Sequence, residues 1–121
     1  MAIPGRILVV DDEPDFRQTC VRLLSKMGYH TLVASNGREA LSRIDGEQPD
    51  LVVCDLRLPG LDGMGVLRHA RTRPEKIPVI LFSAFTTKTT SSKALEAGAS
   101  AYLATPFTAS ELEAAVRRAL K

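Results

Sequence analysis

Three short aliphatic runs in this chain each stop at an acidic or hydroxyl residue, and that pattern restricts the fold more than any other feature. Arg6-Ile7-Leu8-Val9-Val10 ends at Asp11-Asp12, Leu51-Val52-Val53-Cys54 ends at Asp55, and Pro78-Val79-Ile80-Leu81-Phe82 ends at Ser83. A run that is apolar throughout, rather than at alternate positions, suits a strand buried on both faces. Such strands belong to parallel sheets covered by helices on either side. His30-Thr31-Leu32-Val33-Ala34 and Ala101-Tyr102-Leu103-Ala104 are weaker strands of the same series.

The segments between them have helical period. Phe16, Cys20, Leu23, Leu24 and Met27 share one helix face. Pro14 stands near its start, where a missing N–H costs least, and Gly28 follows as its stop. Asn36 is placed to cap a second helix, with Glu39 three residues on and Ala40, Leu41 and Ile44 facing inward. Met64, Leu67 and Ala70 mark a third, ending before Pro74; Thr87 to Ala97 is a fourth, with Gly98 as its stop. Thr108 and Glu111 form a capping-box pair opening a fifth, with Leu112, Val116 and Leu120 inward. The order is β-α five times over, with strands starting near 6, 30, 51, 79 and 101. Right-handed crossovers then predict an α/β fold: an open, doubly wound, five-stranded parallel sheet with helices on both faces.

The 121 residues suit one domain spanning 1–121, with no linker and no room for a second, effector domain. No apolar run approaches the ~18 residues of a membrane span, and Met1 to Arg6 lack the apolar stretch of a signal peptide. The expected location is therefore the cytoplasm, away from membranes. Cys20 and Cys54 lie inside apolar segments and read as small buried side chains rather than a disulfide. A net charge of +2 gives no warrant for nucleic-acid binding through bulk electrostatics.

Open α/β sheets carry their sites at the carboxyl ends of the strands. The first strand delivers Asp11 and Asp12 there, the third Asp55, the fourth Ser83 and the fifth Thr105, just before Pro106. Three carboxylates gathered at one end repel one another, and a hard divalent cation with oxygen ligands is the simplest compensation. Each residue also has an ordinary role. Asp12 or Glu13 can cap the following helix, Asp55 can solvate a loop, and Ser83 can serve a turn. It is their agreement across three strands of one topology that points to a site.

These residues resemble the receiver domain of bacterial two-component response regulators, the CheY-like fold, along nearly the whole chain. The resemblance rests on Ile7 to Pro14, on Pro49 to Gly63 with its string Asp55-Leu56-Arg57-Leu58-Pro59-Gly60-Leu61-Asp62-Gly63, on Pro78 to Ala84, on Gly98-Ala99, and on Ala101 to Phe107. It implies the flavodoxin-like strand order 2-1-3-4-5. It implies that Asp55 is the phosphoacceptor, a carboxylate nucleophile for a phosphoryl group from a sensor histidine kinase or phosphotransfer protein. Asp12 and Asp55 would bind Mg2+ (or Mn2+) directly, with the backbone carbonyl of Arg57 completing the protein ligands and Asp11 assisting through water. Ser83 would hydrogen-bond a phosphoryl oxygen, and Tyr102 would be the aromatic that turns inward as Ser83 moves; a half-exposed strand aromatic is its plainer role. A homodimer through the fourth and fifth helices is a further implication, with no direct nucleic-acid contact by this domain.

One position breaks the family pattern: Thr105 stands where the family carries a lysine. A hydroxyl replaces a charge-assisted contact of roughly 1.5–3 kcal/mol, leaving the pocket one positive charge short. The implied consequence is phosphorylation that survives with a weakened conformational response. Lys88 and Lys93 are the only candidates to substitute, and an engineered exchange at 105 is the third explanation. Arg57 and Phe85, each two residues beyond a site residue, would border the pocket and restrict water. His30 and His69 fall far from the acidic cluster, and Arg117, Arg118 and Lys121 complement the dipole of the last helix. Three other functions compete. The first is a degenerate receiver acting as a phosphorylation-independent interaction module. The second is a magnesium phosphohydrolase, disfavoured because Glu13 rather than Asp stands two residues after Asp11. The third is a flavin-binding module, disfavoured because Asp11-Asp12-Glu13-Pro14 would repel a phosphate.

Overall fold

A computed structural model describes residues 5–84 and 86–120. The chain alternates β1 (Arg6–Val10), α1 (Pro14–Lys26), β2 (His30–Ala34), α2 (Gly37–Glu47), β3 (Leu51–Asp55), α3 (Gly63–Thr72), β4 (Val79–Ser83), α4 (Lys88–Glu96), β5 (Ala101–Ala104) and α5 (Ala109–Ala119). The strands form one parallel sheet in the order β2-β1-β3-β4-β5. The expected fold and strand order are both present.

The three continuous apolar runs are the three central strands, and alternate residues of each feed two separate cores. Ile7, Val9, Leu51, Val53, Ile80 and Phe82 pack against α1 and α5 through Cys20, Leu24, Leu112, Ala115 and Val116. Leu8, Val10, Val52, Cys54, Val79 and Leu81 pack on the other face against α2, α3 and α4 through Ala40, Ile44, Val66, Leu67, Ala70 and Ala94. Each fully buried aliphatic side chain contributes roughly 1.5–3 kcal/mol, so no staple is needed. Cys20 and Cys54 are free, buried, and in opposite layers. Burial pushes the Cys20 thiol up to about 12 and that of Cys54 well above its usual value, which leaves both as neutral packing groups.

The helix starts refine the sequence reading in three places. Asn36 does cap α2 through the Glu39 amide, but the Glu39 carboxylate bonds the Ser35 amide and hydroxyl, one residue before the box position. Thr87 and Thr90 form a capping box on α4 that the sequence reading passed over, and Thr108 with Glu111 forms the expected one on α5. At α1 the N-cap is Glu13, whose side chain makes no capping bond. Pro78 lies just outside β4, contributing its carbonyl to the Val52 amide, since it has no N–H to enter the ladder. Met27 and Leu120, read as helical, are C-cap residues.

Candidate functional site

The strand order reverses between β1 and β3, because β1 connects outward to β2 while the chain returns to β3 on its other side. Loops leaving two such strands diverge and open a crevice at their carboxyl ends. Asp11, Asp12 and Asp55 meet there, with one carboxylate oxygen of each lying within 4.8 Å of the others. They border a cleft of about 410 Å³ completed by Glu13, Phe16, Phe82, Ala84, Thr105 and Pro106.

Local hydrogen bonds aim these side chains. Asp11 is only 2% exposed. It accepts from the Glu13 amide at 2.9 Å, while its own carbonyl takes the Arg17 guanidinium at 2.8 Å. Asp11 thus spends its carboxylate holding the turn into α1, and neither Asp12 nor Asp11 is the helix cap. Asp55 accepts from the Arg57 amide at 3.0 Å, which folds the β3–α3 loop back over it. Asp62 then caps α3 through the Gly65 amide. Burial raises the Asp11 carboxyl to about 6; the Glu13 amide opposes this, and the charges of Asp55 and Asp12 add to it. Asp55 is raised as well, first by burial and then by Asp12, against the pull of the Arg57 amide. Crowded, partly dehydrated carboxylates with an oxygen-only donor set fit a hard divalent cation.

Asp11 makes the stability of the chain depend on pH. Its native carboxyl titrates near 6 and its unfolded one near 3.8, so between those values the native state holds the extra proton. The cation-free chain is therefore expected to lose stability on the order of 3 kcal/mol as pH rises from about 4 to 6. Urea unfolding across that range checks it. Asp11→Asn should flatten the loss, and a divalent cation should restore stability at pH 7. Parallel curves for the two proteins would refute the assignment.

Ser83 ends β4, buried to 1% exposure. Its carbonyl accepts from the Thr105 amide at 3.0 Å and the Thr86 hydroxyl at 3.1 Å. Thr86 stands 3.5 Å from the Tyr102 hydroxyl, and Tyr102 is half-buried against the α2–α3–α4 core. Thr86 escaped the sequence reading because Thr86, Thr87, Thr89 and Thr90 crowd the start of α4 and nothing local marks one of them for a contact with Tyr102. The aromatic wall escaped it too. Phe16, Phe82 and Phe107 meet in tilted and edge-to-face pairs with centroids 5.3, 5.6 and 5.9 Å apart, joining α1, β4 and the β5–α5 loop, which no local periodicity connects.

Several residues lie elsewhere. Lys88 and Lys93 line a separate shallow depression on α4 with Thr89, Ser92 and Glu96, so neither is among the cleft residues in place of a lysine at 105. His30 is exposed at the start of β2, and His69 pairs with Asp45 at 2.7 Å across α2 and α3. Arg117 pairs with Glu113 on α5. Phe85 and Lys121 lie outside the described residues. No helix among the described residues is long and apolar enough to cross a membrane.

The response regulator receiver domain profile matches residues 7–117. The chain belongs to that family. It is a receiver domain of two-component response regulators, a signalling module. It is 40% identical over 98% of its length to response regulator MprA of Mycolicibacterium vanbaalenii, covering 52% of that protein. It is 38% identical over its whole length to regulatory protein AtoC of Escherichia coli, covering 26% of it. The receiver thus spans about half the length of the first relative and about a quarter of the second. A response regulator from Chloroflexus aurantiacus superposes with TM-score 0.91 at 33% identity, each chain covered to 98%. The receiver domain of sensor histidine kinase PA1611 from Pseudomonas aeruginosa, which holds a magnesium ion in its active-site cleft, superposes with TM-score 0.87 at 28% identity, again over 98% of each chain.

Proposed function

We propose that this receiver, residues 1–121, takes a phosphoryl group onto Asp55 from a sensor histidine kinase or phosphotransfer protein. The observation that carries the reading is the Asp11–Asp12–Asp55 cluster at the β1–β3 reversal, opening onto a cleft. Asp12 and Asp55 would hold Mg2+ (or Mn2+) with the Arg57 carbonyl, and Asp11 would assist through water. When bound, the cation supplies charge neutralisation at the transferring phosphoryl group.

The Asp55 carboxylate attacks phosphorus, the phosphorus–nitrogen bond of the donor imidazole breaks, and its electron pair leaves on nitrogen. The Arg57 amide fixes the attacking carboxylate, and the Arg17 bond to the Asp11 carbonyl fixes the facing loop. Ser83 would donate to a phosphoryl oxygen. Its carbonyl is already tied to Thr86, which touches Tyr102, so a shift of β4 has a short route to that ring. A module indifferent to phosphorylation is not favoured, because all three carboxylates stand together. The working location is the cytoplasm, with the α4 and α5 faces as a homodimer contact and no nucleic-acid contact by this domain.

Thr105 lines the cleft with a hydroxyl and no charge. Thr105→Lys is expected to enlarge the response of Tyr102 to phosphorylation, read as a change in its ring resonances. It should also weaken cation binding, because the new ammonium competes for the same carboxylates. An unchanged Tyr102 response would show that coupling does not run through position 105. Loss of phosphoramidate labelling in Asp55→Asn tests the role of Asp55 itself.

A further inference from the structure

No residue of α2 lines the cleft, yet the first residue of that helix presses on the loop that leaves Asp55. Gly37 is buried at the start of α2. A Cβ there would lie 2.1 Å from the Leu61 carbonyl oxygen and 2.9 Å from the Leu61 carbonyl carbon and Cβ. The main chains of α2 and of the β3–α3 loop are therefore packed directly on each other, with no side chain between them. Two residues further on, Gly63 repeats the arrangement. Its would-be Cβ lies 2.5 Å from the Asp55 carbonyl oxygen, and its amide donates to the Leu56 carbonyl at 2.9 Å. Gly37, Leu61, Gly63 and Asp55 thus form a continuous path of main-chain contacts from the helix to the site.

Main-chain atoms in a packed interior have no rotamer with which to yield, so strain at one end reaches the other. The start of α2 is fixed. Asn36 caps it through the Glu39 amide at 2.8 Å, and Ala40 and Ile44 are fully buried. The loop is the side that gives way. It carries the Arg57 amide, which bonds the Asp55 carboxylate at 3.0 Å, and the Arg57 charge, which favours the ionised carboxylate.

We propose that Gly37 is a positioning residue for phosphoryl transfer: through Leu61 and Gly63, the start of α2 holds the Asp55 main chain and the Arg57 amide where the carboxylate can attack. The proposal rests on Asp55 being the phosphoacceptor. It gives α2, remote from the cleft, a place in the reaction.

The test is Gly37→Ala in the intact chain, beside Gly46→Ala at the open end of the same helix. At a temperature where both are folded, Gly37→Ala is expected to slow phosphoramidate labelling at saturating magnesium more than about tenfold. It should also shift the Arg57 amide resonance of the cation-free chain. Gly46→Ala should match the parent in both. A second pair separates main chain from side chain. Leu61→Ala and Leu61→Gly both remove the leucine packing, but only glycine loosens the backbone. Leu61→Gly is expected to label more than about threefold slower than Leu61→Ala, and this pair decides the question if Gly37→Ala does not fold.

A parent-level rate in folded Gly37→Ala, an unmoved Arg57 resonance, or equal rates in the two Leu61 variants would each overturn the proposal. Labelling of Asp55→Asn at the parent level would instead remove the phosphoacceptor reading. The Arg57 resonance, recorded without any phosphodonor, still reports whether Gly37 sets the loop, so the two failures are distinct.

Discussion

Asp55→Asn is expected to abolish covalent labelling of the chain by a phosphoramidate donor in magnesium, by more than about 100-fold, while the fold survives. The amide is close in size to the carboxylate and its oxygen still accepts from the Arg57 amide, so the β3–α3 loop keeps its anchor. What disappears is the nucleophile and one of three clustered carboxylates. The cation-free chain should become more stable, because burial and the neighbouring Asp12 charge both disfavour ionised Asp55. Stabilisation by magnesium should shrink in parallel. Mass spectrometry of the intact chain and thermal unfolding with and without magnesium read both effects. Labelling of Asp55→Asn at the parent level would place the phosphoacceptor elsewhere.

Gly63→Ala is expected to destabilise the chain by roughly 1–3 kcal/mol or more and to weaken cation binding as well. Gly63 opens α3, and its amide donates to the Leu56 carbonyl at 2.9 Å. A Cβ there would lie 2.5 Å from the Asp55 carbonyl oxygen and 2.7 Å from the Leu56 Cα. Both are main-chain atoms that cannot swing aside, so the helix start or the site strand must move. Alanine gains at most ~1 kcal/mol of helix propensity, and the clash outweighs it. Gly46 is the control within the same fold. It lies in the last turn of α2 with nothing within 4 Å of its would-be Cβ. Gly46→Ala should therefore stabilise by roughly 0.5–1 kcal/mol. Chemical unfolding of the two variants checks both signs, and magnesium titration checks the coupling. A Gly63→Ala chain as stable as its parent would show that α3 docks with slack.

The two glycines also show what a sequence leaves unsaid. Each stands in a helix, and only the neighbours across the fold show why a side chain is excluded at Gly63 and accommodated at Gly46. The same holds for the capping signals. Asn36, Thr108 and Glu111 were legible because a cap is a local arrangement of three or four residues. Glu39 was legible only in part, because the Ser35 amide competes for its carboxylate. Phe16 and Phe82 read as core residues, which they are. Their second role as a cleft wall depends on Phe107 and on which end of the sheet they reach.

The sequence by itself determined the element order, the five strands, and the polar residues that the first, third, fourth and fifth strands deliver at their carboxyl ends. Those are consequences of periodicity, β-branching and helix stops, which act over a few residues. Tertiary structure alone decided which of the delivered residues share a site. The reversal of strand order between β1 and β3 brings Asp11, Asp12 and Asp55 within 4.8 Å, while Lys88 and Lys93 are held in a separate depression on α4. Carboxylates more than 40 positions apart become neighbours only when two buried strands pair, and the raised carboxyls of Asp11 and Asp55 and the fit of the cluster to a cation depend on that pairing.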